Sequence, residues 1–166
     1  MSSPFFGKYR GVVSDIEDPL MIGRIRATVP DVLGPDESGW AMPSLPFAGS
    51  SVGFFALPTT GSGVWIEFEH GDPDYPIWSG CWYGSAADVP PLLLAPPYKK
   101  VMVITAAGHA VTLDDTPGVG GIILKTSDGA KIEMTSLGIT IDNGKGASIS
   151  MQGPKVSVNN GALDVI

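Results

Sequence analysis

Residues 121–141 read GIILKTSDGAKIEMTSLGITI, and one motif occurs there almost twice. Ile123-x-x-Thr126-Ser127-x-Gly129-x-x-Ile132 runs directly into Ile132-x-x-Thr135-Ser136-x-Gly138-x-x-Ile141. Glycines at 121, 129, 138, 146, 153 and 161 extend the spacing, at steps of seven to nine residues, almost to the end of the chain. A period near eight residues holds one short strand and one turn, with glycine where the chain reverses. Such units stack along an axis, as in solenoids. The alternative is a meander whose turns happen to use glycine. Val101–Thr105, Ala110–Asp114 and Lys155–Val158 carry further strand segments of this kind, and Gly121–Lys125, Lys131–Met134 and Ile139–Ile141 lie in the repeat itself.

Outward from this stretch the composition breaks sharply. All fourteen aromatic residues lie between Phe5 and Tyr98, and Lys99–Ile166 contains none. Burying a large aliphatic side chain contributes ~1.5–3 kcal/mol, whereas ordering one residue of backbone costs ~1–2 kcal/mol. Only about a third of these side chains are large aliphatics, too few to give one copy its own core. Three copies wound around a common axis provide the missing partners, so the expectation is an obligate homotrimer.

The N-terminal half reads as a different all-β architecture. Tyr9–Glu17 and Ile22–Val29 are β-branched segments joined by a turn at Asp18-Pro19-Leu20-Met21. In the second, Gly23, Ile25, Ala27 and Val29 form the more apolar face. Val64–Glu69 places Val64, Ile66 and Phe68 opposite Trp65, Glu67 and Glu69, and Tyr75–Tyr83 is a further aromatic strand. Trp40–Met42 and Phe54–Leu57 are expected in the middle of the sheet. About five strands in ~80 residues suit a small closed barrel of the OB type. The domain reading is therefore 1–83 barrel, 84–98 Pro-rich spacer and 99–166 β-helical needle.

Charge and motifs exclude several functions. The net charge is −7, with four basic and eleven acidic side chains in residues 1–90. That opposes a nucleic-acid binder, although an OB barrel admits one, and opposes attachment to an anionic membrane. A β-helical carbohydrate-active enzyme or adhesin is the other alternative, but the needle half lacks aromatic platforms for sugars. No secretory signal and no apolar stretch of bilayer length are visible, which fits assembly in the cytoplasm. Cys81 is expected as a buried small hydrophobe. His70 reads as a turn residue and His109 as a structural hydrogen-bonding residue. Asp114 and Asp115 are adjacent and so would point to opposite faces of a strand, and Asp115-Thr116-Pro117-Gly118 reads as a turn. No catalytic, metal or cofactor site is expected.

Against this background Phe54–Gly80, FFALPTTGSGVWIEFEHGDPDYPIWSG, resembles the OB-fold segment of phage baseplate spike and type VI secretion VgrG proteins. The turn Gly71-Asp72-Pro73-Asp74-Tyr75-Pro76 matches its G-D-P-D-x-P pattern. Gly23–Pro30, and Trp40 with Pro46-Phe47-Ala48-Gly49, are similar to earlier family segments. Gly108-His109-x-Val111-x-Leu113-Asp114-Asp115-Thr116-Pro117-Gly118 resembles the entry into the family's trimeric β-helix. The resemblance implies a non-enzymatic spike in a phage-tail-like, virion-like or extracellular injection particle. Its partners would be a hub protein at the barrel and a PAAR-like tip protein at the C-terminal end, with the target membrane touched only on injection. The spacer leaves no room for the lysozyme domain of some members, the barrel begins within ten residues of Met1, and no His-x-His apex is present. A minimal stand-alone spike is the expectation. Leu163, Val165 and Ile166 would form an apolar seat for the tip.

Overall fold

Alternating side chains build the first half of the chain. Its strands are β1 (Tyr9–Asp15), β2 (Arg26–Thr28), β3 (Met42–Pro43), β4 (Ala48–Gly49), β5 (Val52–Gly53), β6 (Gly63–Phe68) and β7 (Pro76–Trp82), with a single helical turn, α1 (Pro30–Leu33). This computed structural model describes residues 4–94, 96 and 99–165. The chain divides into two compact units, Met1–Asp88 and Val89–Ile166, so the division falls within the Pro-rich segment.

In the first unit the strand order is β2-β1-β6-β7-β3. Bridges Ile25–Ala41 and Thr28–Glu37 join the two ends of that order. Reciprocal backbone bonds between Ile25 and Ala41, at 3.2 and 2.8 Å, complete the closure, so the barrel has no free edge there. Val64, Ile66 and Phe68 on β6 point inward, as their period predicts, and meet Val13, Ile25, Ala27, Val29, Ala41 and Trp78. The Trp78 indole Nε1–H donates to the Gly23 carbonyl at 3.0 Å, which satisfies its polar end inside the core.

Two expectations for this half are corrected. Phe54–Leu57 forms no strand, and Phe54 and Phe55 are exposed. The short β4–β5 hairpin before it is a separate two-stranded sheet. Trp40–Met42 lies at the closure, with only Met42 in β3, at the end of the strand order. Residues 44–63 are rich in Gly, Pro and Ser, and their turn chemistry outweighs the β-propensity of the phenylalanines. Cys81 is exposed rather than buried. Its strand has a register shift opposite Val64–Ile66, which interrupts the inward–outward alternation of the pair.

The Asp18 turn is held by a fan of donors. The carboxylate accepts the backbone N–H groups of Leu20, Ile22 and Arg24 and the Nε and NH2 groups of Arg24. Its side chain is only 3% exposed. The Arg24 guanidinium, helped by the three N–H groups, holds the carboxyl well below the usual aspartate range despite burial. A depressed folded pKa stabilises the native state fully above the unfolded value, near pH ~4, and that contribution is lost as pH falls towards the folded value. Asp18→Asn should therefore lower the melting temperature of the barrel at pH 7, and the gap to the parent protein should narrow at pH 3. Thermal melts at the two pH values test this; a gap of constant size would show that the charge on Asp18 contributes nothing.

The second unit contains α2 (Pro91–Leu94) and eight strands, β8 (Lys100–Ile104), β9 (Ala110–Asp114), β10 (Gly121–Lys125), β11 (Lys131–Thr135), β12 (Gly138–Asp142), β13 (Ser148–Gln152), β14 (Lys155–Val158) and β15 (Leu163–Val165). They form one sheet in simple sequence order, every neighbouring pair antiparallel. The eight-residue repeat is thus one strand plus one reversal, and the single chain is a ribbon-like antiparallel meander with glycine at its turns, the alternative to solenoid stacking. Gly138 and Gly121 lie at close approaches in the ladder, where a Cβ would overlap the carbonyls of Met151 and Met134.

Candidate assembly surface

The pairing register sorts the ribbon into two unlike faces. One column runs Val103–Val111–Leu124–Ile132–Ile141–Ile149–Val158–Leu163. The other runs Val101–Leu113–Ile122–Met134–Ile139–Met151–Val156–Val165. Cross-strand partners share a face, so every inward position of all eight strands on this face is a large apolar side chain. On the opposite face the central column begins Met102–Thr112–Ile123 and continues Glu133–Thr140–Ser150–Ser157–Asp164. Ion pairs Lys100–Asp114, Lys131–Glu133 and Lys155–Asp164 lie on that polar side. Lys155 and Ser157 together hold the Asp164 carboxyl below its usual range.

Among the described residues of the second unit nothing covers the apolar face. Among the described residues all buried apolar side chains belong to the barrel, and the ribbon has one buried residue, Thr112. Val101 is 65% exposed, Val103 61% and Ile132 37%. A sheet needs a second layer to bury its apolar side, and a contiguous exposed apolar surface of this size marks an interaction site.

The residues singled out by motif serve as turns and latches at the ends of strands. Gly71 has φ 77°, and a Cβ there would lie 2.7 Å from Pro4. Its carbonyl accepts Phe5 N–H at 2.9 Å, which ties the N-terminal segment to the barrel. Asp72 accepts the backbone N–H of Asp74 through its side chain and that of Tyr75 through its carbonyl, both at 3.0 Å. Pro73 lies within this turn, and Pro76 opens β7 against Phe68. His70 stands in solvent at φ 54° with Glu69 Oε1 4.0 Å away. In the ribbon, Gly108 N–H donates to the Thr105 carbonyl at 2.8 Å, and His109 Nδ1 accepts Ser127 N–H at 3.3 Å. His109 therefore joins the β8–β9 turn to the β10–β11 turn. Asp114 accepts Thr116 N–H at 2.9 Å and faces Lys100 at 3.6 Å; Thr116 and then Lys100 lower its pKa. Asp115 N–H donates to the Lys99 carbonyl, Pro117 is exposed, and Gly118 turns at φ 81°. Among the described residues no three His, Cys, Asp or Glu side chains converge as a metal set. Leu163 and Val165 are exposed at the end of both columns; Ile166 lies outside the described residues.

Comparison with known families divides the chain at the same place. Residues 9–83 match the model described as the type VI secretion system/phage-baseplate injector OB domain, and residues 100–164 match the phage baseplate V C-terminal trimerisation domain. The chain belongs to this baseplate-spike family. It is 42% identical over 72 residues to the actin cross-linking toxin VgrG1 of Vibrio cholerae serotype O1, which is 43% of this chain and 6% of that protein. It is 40% identical over 58 residues to the type VI secretion system spike protein VgrG4b of Pseudomonas aeruginosa, 34% of this chain and 7% of that protein. The chain thus spans a small fraction of these VgrG relatives. What it shares with the family is the OB domain and the trimerisation domain, and the apolar columns lie in the second of these. No helix among the described residues is long and apolar enough to cross a membrane.

Proposed function

We propose that this chain is the central spike of a contractile phage-tail-like injection apparatus, acting mechanically rather than as an enzyme. The observation that carries the reading is the eight-strand ribbon with one wholly apolar, uncovered face. Three such ribbons, each supplying one wall of a prism, would place all their apolar columns inside and their Lys–Asp and Lys–Glu pairs outside. Any bending of such a prism would strain many backbone hydrogen bonds at once, which suits a part driven through an envelope. Residues 1–83 then serve as the adaptor barrel, 84–98 as the spacer and 99–166 as the needle. The particle would be assembled in the cytoplasm and act outside it.

The barrel is the end we assign to the hub. Residues 38–66 carry no charged or histidine side chain, and Phe47, Val52, Phe54 and Phe55 are exposed within that stretch. Aromatic surface without charge fits a permanent interface rather than an electrostatically steered one. The other end, Leu163–Ile166, we assign to a PAAR-like tip. Native mass spectrometry should give three times the 17.3 kDa chain mass; a folded monomer would remove the needle reading. Deleting Leu163–Ile166 should abolish co-purification with the tip protein while leaving the trimer, and unchanged binding would place the seat elsewhere.

A further inference from the structure

The ribbon contains two Asn-Gly dipeptides, Asn143-Gly144 and Asn160-Gly161, and their surroundings differ in a way that matters for covalent chemistry. Deamidation at such a pair begins when the glycine backbone nitrogen, on losing its proton, attacks the asparagine Cγ. The new C–N bond closes a succinimide and ammonia leaves. Solvent water then opens the ring to aspartate or isoaspartate. Glycine favours the step because no side chain hinders the approach of its nitrogen. The reaction therefore needs a carboxamide free to rotate and a glycine N–H free to be deprotonated.

At Asn143 both requirements fail. Its Oδ1 accepts Lys145 N–H at 2.9 Å and Ala147 N–H at 3.0 Å, which fixes the carboxamide inside the β12–β13 turn. The nucleophile is held too, since Gly144 N–H donates to Asp142 Oδ1 at 2.7 Å, and a carboxylate beside that nitrogen opposes its deprotonation. At Asn160, among the described residues, no hydrogen bond holds the carboxamide, and the glycine N–H lies in the single 3-10 turn Asn159–Gly161 rather than against a carboxylate. The residue is exposed at φ 54° in the β14–β15 reversal. Gly161 has open space around it, with Asp164 Oδ2 the nearest approach at 3.9 Å from a built Cβ. The neighbouring Asn159 is the one that serves the fold, its Oδ1 accepting Ser148 N–H at 3.0 Å.

We propose that Asn160 is a site of spontaneous deamidation, and that Asn143, likewise followed by glycine, is protected by the fold. Each event adds one carboxylate per chain three residues before Leu163, at the end of the ribbon opposite the barrel in sequence. The chemistry stands independently of the role given to that end. If Leu163–Ile166 is a seat as proposed above, an aged protein loses its tip partner through added charge on an apolar surface.

The test is to incubate the full-length protein at mildly alkaline pH and follow both asparagines by peptide mapping, with isoaspartate measured by enzymatic methyl labelling. Conversion at Asn160 should be faster than at Asn143 by at least about tenfold, the scale of the hydrogen bonds that Asn143 must first break. In urea the two rates should converge, because unfolding removes the difference in surroundings. Asp142→Ala should accelerate Asn143 alone, and Asn160→Gln should leave the protein folded with little labelling. Equal rates in the folded protein, or a difference that survives in urea, would overturn the proposal.

Discussion

Ile132→Asp should leave the chain unable to form its trimer while its barrel stays folded. Ile132 sits in the middle of one apolar column, with Leu124 and Ile141 as its cross-strand partners. In one copy the position is exposed enough for a carboxylate to keep its water. In an assembly that closes over this face, the equivalent carboxylates are brought together in a dry interior. Desolvating each costs several kcal/mol, and like charges at close range raise the cost further. Light scattering should report the parent as a trimer and the variant as monomer or disordered aggregate, with tryptophan fluorescence unchanged because all four tryptophans lie in the barrel. Thr140→Asp, on the opposite face next to Glu133 and Ser150, is the control and should assemble normally. A fully trimeric Ile132→Asp protein would mean that the apolar face is covered by something other than its own copies.

Trp78→Ala should have the largest effect on stability, and on the barrel alone. Trp78 is 5% exposed among Val64, Ile66 and Phe68. Removing a buried tryptophan costs about 3–5 kcal/mol, and the Gly23 carbonyl loses its donor as well. Domains of this size have about 5–15 kcal/mol in total, so the barrel transition should fall by tens of degrees. Among the described residues the barrel core contains none of the ribbon, and a calorimetric trace should still show the ribbon's transition in place, with the protein still associated. If both transitions moved together, the halves would be one cooperative unit rather than two.

Most of the ribbon was legible from spacing alone, because glycine at every reversal and aliphatics at alternate positions are strong signals when they repeat. β8, β9, β10, β11, β12 and β14 fall within a residue of the segments expected. β13 and β15 escaped notice because Ser148–Gln152 and Leu163–Val165 are short and lie among Gly, Ser and Asn, where local composition favours turns. The two-column face is readable only once the register is known, since it depends on which residue stands opposite which. In the barrel the alternation of Val64–Phe68 is decisive, whereas Phe54 and Phe55 have the strand propensity of aromatic residues and yet stay exposed in a loop. Asp18 is legible in the sequence as a turn former. Its five donors could not be seen, because Arg24 and the N–H groups converge only when the strands are laid together.

The order of the ribbon's strands has a consequence for synthesis. Each strand pairs only with the one before it and the one after it, so every ladder can form as soon as its second strand leaves the ribosome. Such local pairing folds fast. The apolar face, by contrast, gains nothing until other copies arrive, and the growing chain exposes it from β8 onward. Nascent ribbons are therefore sticky towards one another from the moment they form, and neighbouring ribosomes on one message hold them at high local concentration. Assembly on the polysome is the expected route. Mixed expression of two differently tagged copies from separate messages should then yield mostly single-tag particles, whereas random mixing of tags would show that the chains are released before they meet.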